Sequence, residues 1–379
     1  MIDVERDWNE LWQEVEDVLA HGAIRKWKES GGKVVGWLCT YTPEEVIHAA
    51  GLLPVRIQGD PQKASLGDIY LQSNMCPYAR SCIGKAVGGQ YDFLDGVVAV
   101  HTCDAICKLY DVWRIYAPLS FNFLIDHPHK TSALSYHYHQ KQLMKFVKAI
   151  EELVGHEVTE RDLLQSISVY QENRSLLKRL YEWRKRDFPP LRGSEVLKIV
   201  EASALMPKQE HNALLKRLLK GLEERQAPQR RGPRLVVSGS ILESPEFLQL
   251  VEDCGGVVVS DDLCTGTRYF WDEIKSKGDP MEALSRHYMD KVPCACMHPP
   301  EKRFHHLMEM VKQFDAQGVI LYGLMFCDTF GYDFVAQKKS LEEVGIPVLQ
   351  LELDYSSPAW AQMKTRVEAF LEVVAGTNH

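Results

Sequence analysis

Cysteine is the residue type whose placement here could do chemistry, because its thiolate is both a nucleophile and a soft metal ligand. Ten cysteines occur in 379 residues, and several stand where an apolar, strand-like run gives way to a turn. Cys39 closes the run 33–39, and Cys103 follows Val97-Val98-Ala99-Val100. Cys264 follows Val257-Val258-Val259 by way of Asp261-Asp262-Leu263, and Cys327 comes after Ile320-Leu321-Tyr322-Gly323. If these runs are strands of parallel sheets, the four side chains gather at carboxyl edges, where open α/β sheets bind their ligands. Cys103 also opens Cys103-Asp104-Ala105-Ile106-Cys107, a helix starting at or just after it. A thiol at a helix N-terminus has its thiolate favoured by free amides and the helix dipole. Cys76 precedes Pro77, which suits a helix's first turn.

With Cys327 supplied by the other half of the chain, Cys76, Cys103 and Cys327 make a set of three thiolate ligands. On a cubane iron–sulfur cluster, three thiolates leave one iron free for a substrate oxygen or water. The competing use is packing, since cysteine is also a common small core residue. Packing suits Cys82 and Cys107, within helical runs, and Cys254, before Gly255-Gly256; Cys294-Ala295-Cys296 suits either use. Structural zinc is disfavoured, because no paired Cys-x-x-Cys or Cys/His spacing is present. The sequence has no phosphate-binding Gly-x-x-x-x-Gly-Lys-Ser/Thr loop, no Gly-x-Gly-x-x-Gly, no Gly-x-Ser-x-Gly and no His-Glu-x-x-His. ATP hydrolysis by this chain, typical dinucleotide binding, and hydrolase or metalloprotease chemistry therefore have no support. His305 and His306 lie in a helical run and suit surface or packing roles. Tyr41, Glu45 and His48 follow the first strand closely enough to move protons, although Glu44 and Glu45 equally suit a helix's first turn.

The elements that must position these residues alternate. Strand-like runs at 33–39, 54–57 and 95–100 are separated by helical patterns such as 44–50. From about Thr131 to Arg225 long amphipathic helices take over, with Leu214, Leu215, Leu218, Leu219 and Leu222 on one stripe. The stretch 227–233, rich in Pro and Gly, breaks that pattern. Strand-like runs return at 235–237, 257–259, 319–322 and 347–351, and Trp360, Met363, Val367, Phe370, Leu371 and Val374 mark a last amphipathic helix. The expected fold class is α/β, with two doubly wound parallel-sheet lobes joined by a helical connecting segment. The expected divisions are 1–130, 131–230 and 231–379, in keeping with a length beyond what one core of roughly 250 to 300 residues serves. A net charge of −8 offers no cationic face for nucleic acid. The acidic N-terminus and the lack of a long apolar run predict a cytoplasmic protein that meets no membrane, where thiols stay reduced and disulfides are not expected.

Several segments together resemble the benzoyl-CoA reductase and 2-hydroxyacyl-CoA dehydratase family over nearly the whole chain. They include Thr42-Pro43-Glu44-Glu45-Val46-Ile47-His48-Ala49-Ala50-Gly51-Leu52-Leu53-Pro54, Tyr91-Asp92-Phe93-Leu94-Asp95-Gly96, Cys103-Asp104, Asp261-Asp262-Leu263-Cys264-Thr265-Gly266-Thr267-Arg268, Phe326-Cys327-Asp328, and the stretch 364–372. The resemblance implies a 4Fe–4S cluster on Cys76, Cys103 and Cys327 that receives single electrons from a separate ATP-hydrolysing iron–sulfur activator. It implies an enzyme of anaerobic metabolism that reduces an acyl-CoA thioester, or dehydrates one through a ketyl radical that expels a hydroxyl. The chain would pair with a second copy or with a related subunit. Cys39, Cys264, Cys294 and Cys296 look like the extra cysteines of double-cubane proteins, homodimeric relatives that reduce small unsaturated molecules with an 8Fe–9S cluster. Six thiolates would then serve, one of them from Cys294 or Cys296. A non-catalytic electron carrier is the third alternative.

Overall fold

The computed structural model describes residues 4–225, 228–243, 245–275, 278–354 and 359–376. Residues 226 and 227, at the expected helix break, and the first three residues of the acidic N-terminus lie outside this set.

Short β-branched runs form two four-stranded sheets in which every pairing is parallel. The first contains β1 Val34–Trp37, β2 Leu53–Arg56, β3 Gly96–Val100 and β4 Phe121–Ile125, in the order β2-β1-β3-β4. The second repeats the plan as β6-β5-β7-β8, with β5 Arg234–Gly239, β6 Val257–Asp262, β7 Gly318–Leu324 and β8 Val348–Leu353. Parallel neighbours need helical crossovers. After β2 and after β6 the chain returns past the first strand of its sheet to build outward on the other side, which is the doubly wound order that the alternating sequence predicts.

The structure adds one strand and lengthens another. β4 is not among the expected strands: it is an edge strand with Asn122 in its run and partly exposed central residues, so it lacks the continuous apolar signal of a central strand. The run expected at 257–259 continues through Ser260, Asp261 and Asp262, all buried. These polar residues stay in the strand because each carboxylate is satisfied. Asp262 accepts from Ser238 Oγ at 2.8 Å and from Arg268 Nη1 at 2.8 Å, and Asp261 accepts from the Thr267 amide at 2.8 Å.

Period-two alternation gives the first sheet two apolar faces. Val34, Leu53, Val55, Val97 and Ala99 join a core shared with the helices Pro77–Val87 and Asp104–Tyr116 and with the second sheet's Leu235, Val236 and Val237. Val35, Val98, Val100, Phe121 and Ile125 face the other way, onto Leu143, Phe146 and Ile150 of the helix Ala133–Val154. That face is closed by Leu284 and Tyr288 of the helix Pro280–Asp290, so a helix from the later part of the sequence covers the earlier sheet. The expected leucine stripe is buried on the helix Lys208–Glu224. Among the described residues, no helix is long and apolar enough to cross a membrane.

Candidate functional site

Each expected ligand cysteine is placed by the end of a strand or the start of a helix. Cys39 lies two residues past β1, Cys103 three past β3, Cys264 two past β6 and Cys327 three past β7. Cys76, Cys103 and Cys327 are the N-cap residues of the helices Pro77–Val87, Asp104–Tyr116 and Asp328–Glu343. The helix start at Cys327 is prepared by Phe326, whose φ of 60° puts a bulky side chain in the left-handed region and turns the chain sharply out of β7. Cys294 and Cys296 come from the loop after the helix Pro280–Asp290. That loop is pinned by the Cys294 amide on Tyr41 Oη at 3.0 Å, by the His298 amide on the His129 carbonyl at 2.8 Å, and by Arg303 Nη1 on the Cys294 carbonyl at 2.9 Å.

All seven cysteines border one cavity between the carboxyl ends of the two sheets, Cys39, Cys76 and Cys103 from the first half of the chain and Cys264, Cys294, Cys296 and Cys327 from the second. The rest of the lining is largely apolar, with Leu38, Ile106, Ile241, Leu324 and Phe330, and includes Arg56, Thr102 and Thr329 but no histidine or carboxylate. Thr102 Oγ1 donates to Cys39 Sγ at 3.5 Å, and Thr329 Oγ1 lies 3.6 Å from Cys327 Sγ. No ring of first-turn amides caps these thiols in standard helix-cap geometry. The amides of Tyr78 and Ala79 beside Cys76, Ile106 beside Cys103 and Phe330 beside Cys327 nonetheless favour the thiolate of each.

Burial is the larger effect at these N-caps and raises all three thiols, Cys76 to about 12, with the neighbouring sulfurs adding to the rise. Cys76 and Cys103 both respond to Cys327, which marks one group of mutually interacting thiols. Cys264, Cys294 and Cys296 form another. Cys264 is raised first by Cys294 and then by burial; Cys294 is lowered by Cys264 but raised further by Cys296 and burial, and Cys264 also raises Cys327. Cys39 interacts with both groups through Cys103 and Cys264. Thiols raised in this way carry protons until a metal displaces them, so loading would release protons and be favoured by higher pH.

The proton-transfer candidates separate. Tyr41, between β1 and the helix Glu44–Ala49, accepts from the Cys294 amide at 3.0 Å and so lies beside the cavity. Glu45 points elsewhere, onto Arg174 at 2.5 Å and Tyr288 Oη at 2.7 Å, and His48 is held by Ser166 Oγ at 2.8 Å and Gln209 at 2.8 Å. Cys82, Cys107 and Cys254 do not border the cavity. Sequence reasoning missed the cations around it. Arg268 pairs with Asp262 and reaches Cys264 Sγ at 3.4 Å; Arg303 pairs with Asp333; Arg56 Nη1 donates to the Cys264 carbonyl at 2.9 Å; and Lys291 Nζ donates to the Thr40 carbonyl at 2.9 Å. A signal existed for Arg56, a charge at the end of an apolar strand, and for Arg268, six residues from its aspartate. None existed for Lys291, whose carbonyl partner is 251 residues away in sequence.

The backbone that presents the second sheet's edge to the cavity leaves no room for a side chain at Gly239. A Cβ there would lie 1.8 Å from the Tyr322 carbonyl oxygen, and its φ is 154°. Gly239→Ala is expected to lower stability by about 2–4 kcal/mol through the clash and the strained backbone, read as a fall in the thermal unfolding midpoint. An unchanged midpoint would contradict this account of the β5 edge.

Comparison with known proteins identifies the family of the chain. The family described as 2-hydroxyglutaryl-CoA dehydratase, D-component, matches residues 39–374. A benzoyl-CoA reductase subunit of Thauera aromatica is 31% identical over 316 residues, covering 81% of this chain and 82% of that protein. The (R)-phenyllactyl-CoA dehydratase beta subunit of Clostridium sporogenes is 25% identical, covering 93% and 94%. The beta subunit of (R)-2-hydroxyglutaryl-CoA dehydratase from Acidaminococcus fermentans is 26% identical, covering 92% and 94%. With a family match across most of its length, two doubly wound parallel sheets and a shared cysteine-lined cavity between them, this chain belongs to the 2-hydroxyglutaryl-CoA dehydratase D-component family, among whose relatives are reductase and dehydratase subunits acting on acyl-CoA thioesters.

Proposed function

We propose that this chain is the iron–sulfur component of an anaerobic, cytoplasmic acyl-CoA reductase or dehydratase, with Cys76, Cys103 and Cys327 holding a 4Fe–4S cluster. The observation that carries this reading is the meeting of three helix-N-cap thiols, drawn from both halves of the chain, at one cavity. The donor set supports it. Seven thiols and, among the described lining residues, no imidazole or carboxylate face the cavity, which suits iron–sulfur chemistry. Among the described residues, no three His, Cys, Asp or Glu side chains stand close enough together to hold a single metal ion.

Such a cluster supplies one-electron transfer at low potential. The chain's own residues set its surroundings. Leu38, Ile106, Ile241, Leu324 and Phe330 exclude water, Thr102 and Thr329 orient two of the sulfurs, and the first-turn amides favour the thiolate form. An ATP-hydrolysing iron–sulfur activator would deliver the electron, as the resemblance to the benzoyl-CoA reductase and 2-hydroxyacyl-CoA dehydratase family implies; this sequence has no phosphate-binding loop with which to hydrolyse ATP itself. A second copy or a related subunit would complete the enzyme, in keeping with relatives that are named as subunits.

A second reading has its own observation. Cys39, Cys264, Cys294 and Cys296 border the same cavity as the first three, which gives enough thiols for a double cubane acting on small unsaturated molecules. Anaerobic purification with iron and sulfide quantification and Mössbauer spectroscopy separates the two. About four irons per chain is expected for one cubane and about eight for two. Iron-free protein refutes both. Turnover of aromatic or 2-hydroxyacyl thioesters in the presence of activator and ATP tests the substrate class, and its absence at full cluster content counts against the first reading.

A further inference from the structure

Among the described residues, the buried cations around the thiol-lined cavity divide by whether a carboxylate pairs with them. Arg268 and Arg303 are paired, with Asp262 and Asp333. For Arg56 and Lys291, 6% and 5% exposed, no ion pair is found among the described residues. Arg56 lies with its guanidinium 5.1 Å from the Trp37 ring centre, gives one Nη1 bond to the Cys264 carbonyl, and leaves its buried Nε without a partner. Tyr78, the thiols of Cys264 and Cys39, and the carboxyls of Glu243 and Glu201 act on it through space. Lys291 lies 5.3 Å and 5.7 Å from the ring centres of Tyr41 and Tyr288 and gives one bond to the Thr40 carbonyl, next to Cys39. Arg174, a like charge, acts on it unfavourably, and Asp272 acts on it only at a distance.

A buried cation with no carboxylate in contact is costly, and aromatic faces and single carbonyls return only part of that cost. The fold holds two such groups against the carbonyl of Cys264 and that of Thr40, the residue after Cys39, both of which border the cavity. Carbonyl bonds alone do not explain why charged rather than neutral donors stand there.

The geometry points to Arg56 and Lys291 as positioning residues whose charges balance the negative charge of a thiolate-bound iron–sulfur cluster and favour its reduced form. The assignment rests on the proposed function and adds to it the groups that set the reduction potential. Taking up one electron makes the thiolate-bound group one unit more negative, and a fixed cation beside it stabilises the product of that step more than the reactant. Arg56 bonds the Cys264 carbonyl and Lys291 the Thr40 carbonyl next to Cys39, and each charge acts on both thiols. Their hydrogen bonds are to backbone, and their influence is through the field.

The test uses full-length protein prepared without oxygen, as wild type, Lys291→Met, Lys291→Arg, Arg56→Gln and Arg56→Lys. Iron content is measured first, and each sample is then reduced stepwise with dithionite in the presence of redox mediators and followed by electron paramagnetic resonance. Lys291→Met and Arg56→Gln are expected to move the midpoint to more negative potential, with Lys291→Arg and Arg56→Lys close to wild type. An unchanged midpoint in Lys291→Met at full iron content overturns the assignment, and so does an equal shift in Lys291→Arg, which would mark a packing effect. Should Lys291→Met not fold, the Arg56 pair decides by the same comparison. Loss of iron from the neutral variants with retention in their charge-keeping counterparts also supports the counter-charge role. Wild type that carries no iron removes the proposed function itself, whereas iron-loaded wild type with indifferent variants removes only this inference.

Discussion

Under the proposed function, Cys103→Ser is expected to yield folded protein that carries far less iron and visible absorbance than wild type prepared in the same way, and Cys76→Ser and Cys327→Ser are expected to do the same. A serine hydroxyl does not ionise at neutral pH and is a hard donor, so it replaces a thiolate poorly on iron. The N-cap position makes the loss specific. Serine caps a helix well, and the helices that follow Cys76, Cys103 and Cys327 keep their first turns while the ligand is gone. Cys254→Ser is the control, because Cys254 ends the helix Pro245–Asp253 and takes no part in the cavity. Iron per chain and the visible absorbance, measured beside circular dichroism, check the result. Equal iron in Cys103→Ser and wild type would exclude Cys103 as a ligand.

The second large effect is on stability. Glu45 and Arg174 form an ion pair at 2.5 Å with side chains 0% and 7% exposed, and Tyr288 Oη donates to the other Glu45 oxygen at 2.7 Å. Arg174→Met leaves a buried carboxylate with one hydroxyl for company, and is expected to cost about 3–5 kcal/mol in urea unfolding. The double replacement Glu45→Gln with Arg174→Met should cost less than the single one, because no unpaired charge stays behind. A single-variant loss below about 1 kcal/mol would show that the pair is not dry. The same pair sets an acid limit. Burial pushes the Glu45 carboxyl up, but the Arg174 charge and the bonds from Arg174 and Tyr288 outweigh it, and the group ends below its ordinary value of 4.5. A carboxyl lowered in the folded state stabilises above its unfolded value, so this contribution is present at neutral pH. It is lost as the pH falls below about 4.5 and through the folded value. The Arg174→Met protein should therefore show a flatter fall in stability across that acid range than wild type.

This pair also shows why Glu45 misleads in the sequence. Its place just after the first strand is near the site along the chain, yet the helix Glu44–Ala49 turns its side chain toward Arg174 and Tyr288. Glu44 likewise lies in the interior, 3.8 Å from Lys208. Proximity in sequence locates the strand end correctly and the side-chain direction wrongly, since a helical turn rotates each residue by about 100°.

What could be determined from the sequence alone were the features whose physical signal is local. Alternating β-branched runs and helical periodicity specified two parallel, doubly wound sheets, and the turn after each strand located Cys39, Cys103, Cys264 and Cys327 at carboxyl edges. Pro77 marked the helix that Cys76 caps. Edge strand β4 escaped because partial exposure and Asn122 dilute the apolar run on which strand recognition depends. Only the tertiary structure decided that all seven cysteines share one cavity, that the Cys294–Cys296 loop reaches it from a helix lying on the far sheet, and that Arg56 and Lys291 stand beside it without ion-pair partners among the described residues. Those facts depend on contacts between segments more than 200 residues apart, whose pairing is set by the burial of complementary faces and leaves no trace in local periodicity.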